Sequence, residues 1–366
     1  MIYLDHGATS FYKPAGVYRA VEQAMRTCAS PGRGGYPAAM NAGKILLSCR
    51  QKAGEMFDCN PEQVVFTTCC THGLNMAIRT LVKPGDEVVI SGFEHNAVVR
   101  PLYGLGAKIR VAGRKLFCQE EMLESLEKEL KRAPKAAIFT HVSNVFGYIL
   151  PVEEMGKLCK QYGVPFVLDA AQSAGILPVK LGQLGAEFIA MPGHKGLLGP
   201  QGTGMLLCNS LPEPLLYGGT GSLSQSYLMP DFLPDRGEAG TPNVPGIAGL
   251  AEGLKYVQKT GIENILERQQ KQVRYAAREL QKMGLQVYTG KHQTGTLSFC
   301  GGMDCEEFAE ALASHGIAVR AGLHCAPLAH ESAGTLDTGT VRISYGPEAT
   351  FGHTANLINA VAKILS

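Results

Sequence analysis

Between Gln63 and Cys208 short apolar runs alternate with amphipathic stretches. The runs are QVVFTT, DEVVISG, AKIRVAG, KAAIFTHVS, PFVLDAA, EFIAMPG and GTGMLLC. They are short and rich in Val, Ile and Phe, which predicts strands buried on both faces. Helix-period stretches lie between several of them, notably CQEEMLESLEKELKRA and PVEEMGKLCKQYG. In the second, Pro151 stands where a first-turn proline is expected and Gly163 where a helix C-cap is expected. Such alternation predicts an α/β fold whose large domain has a mostly parallel, seven-stranded sheet between helices.

The pattern lapses over residues 209–245, which are rich in Gly, Pro and Ser and show little periodicity. A connection of that length inside a compact protein usually covers a site or serves one. A long helical pattern then runs through GIENILERQQKQVRYAARELQKMG, followed by short strands and helices to the end. A smaller α+β domain is expected there. The boundaries read as 15–245 for the large domain, with 1–14 and 246–366 forming the small one. A chain of 366 residues is long enough for that division.

Composition narrows the function classes. A formal net charge of +2, with no basic run, gives no reason to expect nucleic acid as a partner. No stretch of roughly eighteen apolar residues predicts a membrane span, and MIYLDHGATS lacks the form of a secretory signal. The eleven cysteines are odd in number and scattered, which reads as reduced thiols in a cytoplasmic protein. Cys69 and Cys70 are adjacent without a second CxxC-like pair, so no structural metal is expected.

Candidate chemistry sits where the apolar runs end. Lys195, in MPGHKGLLGPQGTG, follows a strand and precedes glycines; burial there would lower its pKa enough for Schiff-base chemistry, whereas a loop lysine in solvent would do nothing. Asp169 ends PFVLD and needs a cationic partner such as a protonated pyridine nitrogen, unless it only caps the following turn. Gln172, three residues on, could reach a ring oxygen of the same cofactor. Thr71, where FTTCC leads into a helix, marks an anion site or a simple N-cap. His95 follows DEVVISGF and Asn144 follows KAAIFTHVS, each open to a structural account. Ligands in open α/β sheets bind beyond the carboxyl ends of strands, and five candidates share that position. Farther on, Cys325 in IAVRAGLHCAP has His324 and Arg320 nearby, and a neighbouring cation would make its thiol reactive. Arg342, in TVRISYG, suits a substrate carboxylate or a structural ion pair.

The ordered set YLDHGAT, CTHGLN, FEHNAV, THVSNVFG, VLDAAQ, GHKGLLGPQG, RGEAGTPN and RAGLHCA resembles the class V aminotransferase family of fold-type-I pyridoxal-phosphate enzymes. RAGLHCA is similar to the active-cysteine loop of group II cysteine desulfurases and selenocysteine lyases. The resemblance spans residue 3 to about residue 345. It implies pyridoxal 5′-phosphate held by Lys195, which would then shuttle the substrate α-proton. Asp169 would pair with the pyridinium nitrogen and Gln172 with the ring oxygen. His95 would stack on the ring and Asn144 would lie beside it. Cys70, Thr71 and His194 would bind the phosphate, with Thr241 reaching in from the second subunit of a homodimer. Arg342 would clamp the substrate carboxylate, and Cys325 would be the nucleophile.

The activity implied is removal of sulfur from L-cysteine, giving L-alanine and a persulfide on Cys325 for an acceptor protein or small thiol. Selenocysteine lyase is the nearest alternative, and a class V aminotransferase or carbon–sulfur lyase that does not use Cys325 comes next. Four features depart from the family pattern: Pro192 in place of a hydroxyl residue, Cys70 in place of Thr or Ala, Leu323 in place of a histidine, and GPEATFGHTANL after Arg342.

Overall fold

The computed structural model describes residues 1–32 and 34–366. Strand β1 (Ile2–Tyr3) is followed by helices α1 (Ala15–Thr27) and α2 (Pro37–Phe57). The alternating region then runs β2 (Val64–Thr67), α3 (Cys70–Leu81), β3 (Glu87–Ser91), α4 (Asn96–Gly104) and β4 (Lys108–Ala112). It continues through α5 (Gln119–Leu130), β5 (Ala136–Thr140), α6 (Val152–Gln161), β6 (Phe166–Asp169), the short α7 (Leu181–Leu184), β7 (Phe188–Pro192) and β8 (Gly204–Cys208). All seven apolar runs are therefore strands of one sheet, in the order β2-β8-β7-β6-β5-β3-β4. Only β8 runs antiparallel to its neighbours.

Side-chain alternation explains why these strands read as unbroken apolar runs. In β5, Ala137 and Phe139 enter the core on one face, while Ala136 and Ile138 enter the core on the other. Helices must cover both faces, and the crossovers between parallel strands supply them. Pro151 lies one position earlier than expected, at the N-cap of α6, while Gly163 ends that helix at φ 66°.

Helices α8 (Val244–Thr260) and α9 (Ile262–Lys282) lead into the smaller layer. It contains β9 (Gln286–Tyr288), β10 (Thr296–Cys300), α10 (Cys305–Ser314), β11 (Ile317–Ala318), β12 (Arg320–Gly322), α11 (Pro327–Ala333), β13 (Thr340–Ser344) and α12 (Phe351–Leu365). Its antiparallel sheet has the order β12-β13-β10-β9, and β1 pairs in parallel with β11. Leu4 accordingly packs with Phe299, Phe308 and Ile343 in a core separate from that of the large sheet.

The boundary expected at residue 246 divides α8 from the layer on which it rests. Helix α8 packs along α1 and α2, and its Ile247, Leu250 and Leu254 join the large-sheet core. The smaller core begins with α9, through Val273, Ala276 and Leu280. Among the described residues no helix is long and apolar enough to cross a membrane.

Candidate active site

A cleft of about 510 Å³ opens at the carboxyl ends of β2, β3, β5, β6 and β7. Each of these strands delivers one part of its wall, because each ends where a loop or helix begins. From β2 come Cys70 and Thr71, from β3 His95, from β5 Asn144, from β6 Asp169 and Gln172, and from β7 His194 and Lys195. Eight of the residues singled out from the sequence thus meet in one place.

At the floor, Asp169 is buried and accepts from the N–H of Ala171 at 2.8 Å and from the Cys70 thiol at 3.4 Å. Burial pushes its carboxyl above the usual range. Lys195 is pushed the other way: burial lowers its ammonium, and the nearby Asp169 opposes that shift. A lysine and a carboxylate withdrawn from water, both shifted toward their neutral forms, are chemically poised rather than spent on a tight mutual ion pair.

The β2–α3 end of the cleft has a different character. Helix α3 begins at Cys70, after Cys69 as N-cap, and no side chain caps it. The main-chain N–H groups of Cys70 and Thr71 therefore sit at the positive end of a helix of twelve residues with no partner among the described residues. His194 joins them, with Nδ1 3.0 Å from the Thr9 hydroxyl and its carbonyl accepting from Ser10. Burial holds its imidazole neutral, lowering it to about 4. His95 is also lowered to about 4, by burial first and then by Lys195 and three arginines, Arg320, Arg342 and Arg100. Its Nδ1 accepts from the N–H of Ala97 at 3.0 Å and caps α4, which fixes the ring and leaves the proton on Nε2.

Cys325 lies outside the cleft wall, exposed on the loop between β12 and α11. Both His324 and Cys325 take left-handed backbone conformations, φ 52° and 57°, which non-glycine residues adopt at a cost. The loop is held by bonds from the large domain: Asn144 Nδ2 donates to the His324 carbonyl at 2.8 Å, and the Asn96 N–H donates to the Cys325 carbonyl at 2.7 Å. His324 stacks on His330 at 5.8 Å between centroids, with the rings nearly parallel.

The Aminotransferase class-V family model matches residues 2–355. The chain belongs to the class-V aminotransferase family. It is 33% identical over 343 residues to a probable cysteine desulfurase of Pyrococcus abyssi, covering 89% of this chain and 85% of that protein. A cysteine desulfurase of Escherichia coli O7:K1 is 33% identical over 347 residues, covering 89% of this chain and 84% of that one. Among solved structures, the apo cysteine desulfurase from Thermococcus onnurineus superposes with a TM-score of 0.92 at 31% identity, covering 100% of this chain and 94% of that one.

Within this class-V scaffold the remaining candidates take the following places. The Cys70 thiol is taken up by Asp169, which leaves the N–H of Cys70 as its group free for an anion. Thr71 is not the N-cap, since Cys69 holds that position. His324 supplies no cation to Cys325: its ring is buried, and burial together with Arg342 drives its pKa down to about 2. Arg320 remains, on β12 directly across from Arg342 on β13. Arg342 is 1% exposed and makes the ion pair that the sequence left open, with Nη2 2.5 Å from Asp5 Oδ1. Its Nη1 donates to the Asn144 carbonyl at 2.9 Å, and its Nε has no partner among the described residues. Thr241 is exposed and does not line this chain's cleft.

Two functional neighbours escaped the sequence reading. Glu94 is fully buried beside the cleft, accepting from the Thr140 N–H at 2.8 Å and from Ser91, with Oε2 unpartnered. Its signal was available: a carboxylate just after an apolar strand, the same argument that marked Asp169. Asp5 carried no signal of its own, because nothing local shows that the chain just after β1 bridges to Ser344 of β13.

Proposed function

We propose that this chain is a pyridoxal-phosphate cysteine desulfurase that converts L-cysteine to L-alanine and leaves sulfur on Cys325. The observation that carries the reading is one cleft joining Lys195, buried Asp169 and an open helix N-terminus, with an exposed cysteine on a loop tied to Asn144 of its wall.

The residues fit the cofactor by their chemistry. Asp169 is a buried carboxylate short of a cation, suited to a pyridinium N–H. The Cys70 and Thr71 N–H groups, with His194, would hold the phosphate. Neutral His95 would stack on the ring, Gln172 would donate to its oxygen, and Asn144 Oδ1, unpartnered and buried, would serve ring or substrate. When bound, pyridoxal phosphate supplies a carbonyl that Lys195 can hold and an electron sink for charge at the substrate α-carbon.

The protein's own groups carry the rest. Arg342 seats the substrate carboxylate. Lys195 takes the α-proton and returns it to product carbon. The Cys325 thiolate attacks the substrate sulfur as the carbon–sulfur bond breaks. Substrate thiol plus Cys325 thiol become alanine plus a Cys325 persulfide, so atoms and protons balance without an added oxidant. The terminal sulfur then passes to an acceptor protein or small thiol.

We also infer a homodimer. Thr241 is exposed at the end of the long connection, and Tyr217, Tyr227 and Leu228 on that connection are strongly exposed apolar residues. A second chain covering them would bring Thr241 to its partner's cleft. Sedimentation at micromolar concentration should give a dimer; a monomer would overturn this part.

The test of function follows sulfide and alanine from L-cysteine and a thiol reductant, for wild type and Cys325→Ala. Equal yields, lost by more than about 99% in the variant while the yellow cofactor band stays, are expected. Sulfide unaffected by the substitution would make this a lyase that does not use Cys325. Turnover of selenocysteine alone would assign a selenocysteine lyase, and a protein that takes up no cofactor would sink the whole reading.

A further inference from the structure

The segment from Asp5 to Ser10 runs between the two layers and touches four parts of the site. Asp5 Oδ1 takes Arg342 Nη2 at 2.5 Å. The Gly7 N–H donates to Ser344 Oγ at 2.7 Å, and the Gly7 carbonyl accepts from Gln172 Nε2 at 3.0 Å. Ser10 donates through both N–H and hydroxyl to the His194 carbonyl, at 2.9 and 2.8 Å. This segment belongs at its start to the smaller sheet, through the Asp5–Ser344 bridge and the β1–β11 pairing.

Arg342 is confined on every side that the segment reaches. A side-chain carbon on Gly7 would stand 3.0 Å from the guanidinium carbon, so the glycine lets the backbone lie against that face without pushing Arg342 aside. Asp5 holds one nitrogen and the Asn144 carbonyl another. A flexible arginine held at two nitrogens meets a carboxylate without first losing rotamer freedom, and its planar fork must be aimed for two parallel bonds to form. A mere counter-ion for a buried guanidinium would not need this direction, only a negative charge.

We propose that Asp5 is a positioning residue for substrate, aiming Arg342 at the α-carboxylate of the incoming amino acid. The inference rests on the reading of Arg342 as the carboxylate clamp. Its role is geometric, so a change that keeps the acceptor oxygen is tolerated and one that keeps the charge but moves the oxygen is not.

Two near-isosteric variants separate the accounts. Asp5→Glu retains the charge and pushes the carboxylate out by one methylene; Asp5→Asn loses the charge and retains an acceptor at the same reach. L-Alanine is titrated into each holoenzyme and its binding followed by the cofactor's absorbance, alongside KM and kcat for L-cysteine. For Asp5→Glu we expect about a tenfold weaker alanine affinity and a tenfold higher KM with kcat within threefold, since a seat used equally in ground and transition states changes KM alone. Asp5→Asn should stay within threefold of wild type in all three quantities. The reverse ranking, equal impairment of both, or no effect in either overturns the proposal. Arg342→Lys is the control: if it leaves alanine binding unchanged, the clamp reading itself falls. If it weakens binding while Asp5→Glu does not, only the role of Asp5 falls.

Discussion

Glu94 shows how a single residue beside the cleft sets a property of the protein. Burial raises its carboxyl to about 8, against the lowering effect of Ser91 and the Thr140 N–H. The folded state therefore holds a proton there that the unfolded chain releases above its ordinary value near 4.5. Stability from this group is fully present below about 4.5, declines as pH rises, and is gone above about 8, with a slope of up to about 1.4 kcal/mol per pH unit. Glu94→Gln mimics the protonated form, so its Tm should exceed that of wild type at pH 8 and match it at pH 5. An equal offset at both values would show that Glu94 is not protonated in the native protein. Asp169 was legible in the sequence because its strand was, and Glu94, just after an equally apolar strand, could have been marked in the same way; that Ser91 and the Thr140 N–H converge on it needed the fold. Asp5 was legible only as part of a familiar string, since the bond that matters spans 337 positions.

At the scale of elements, the parallel strands were the readable part, because burial on both faces leaves an unbroken apolar run in the sequence. The same rule placed the cleft, since five of the candidates followed a strand. Helix α8 was less readable: its apolar stripe says that it is buried, but not against which layer. The cysteine loop was least readable, because its geometry depends on Asn96 and Asn144, far away in sequence. One contact between elements makes a prediction about the cofactor end. Gly204, the first residue of β8, lies so close to the β2–α3 turn that a side-chain carbon on it would stand 2.8 Å from the carbonyl carbon of Cys69 and 2.8 Å from the Thr67 hydroxyl. Backbone cannot rotate away, so Gly204→Ala must displace the turn that presents the Cys70 and Thr71 N–H groups. Apoprotein titrated with pyridoxal phosphate should bind at least about tenfold more weakly in this variant, from loss of aligned donors to the phosphate. Unchanged affinity would mean that the turn is not part of the phosphate seat.

Across the whole molecule the buried imidazoles dominate the acid side. His95, His141, His194 and His330 are each lowered to about 4, burial being the first cause in every case. The unfolded chain protonates these rings near 6.5, so it binds more protons than the native state between about 6.5 and 4. Their contribution is present above 6.5 and is lost as pH falls through the folded value. Glu94 opposes them there with one proton, too few to offset four rings. On the alkaline side the signs reverse: Glu94 loses stability up to about 8, and buried thiols such as Cys49 and Cys159, raised to about 12, lose it further above their ordinary value of 9.0. Stability should therefore peak between about pH 6.5 and 7 and fall on both sides. Thermal unfolding of the holoenzyme at pH 5, 6.75 and 8.5 is expected to show the highest midpoint in the middle, with a drop of roughly several degrees at pH 5, since the four rings act together while each kcal/mol shifts Tm by about 2 °C or less in a chain of this size. A midpoint that rises toward pH 5 would mean that these rings are charged in the folded protein. The proposed stacking of a neutral His95 on the cofactor ring would then have to be abandoned with them.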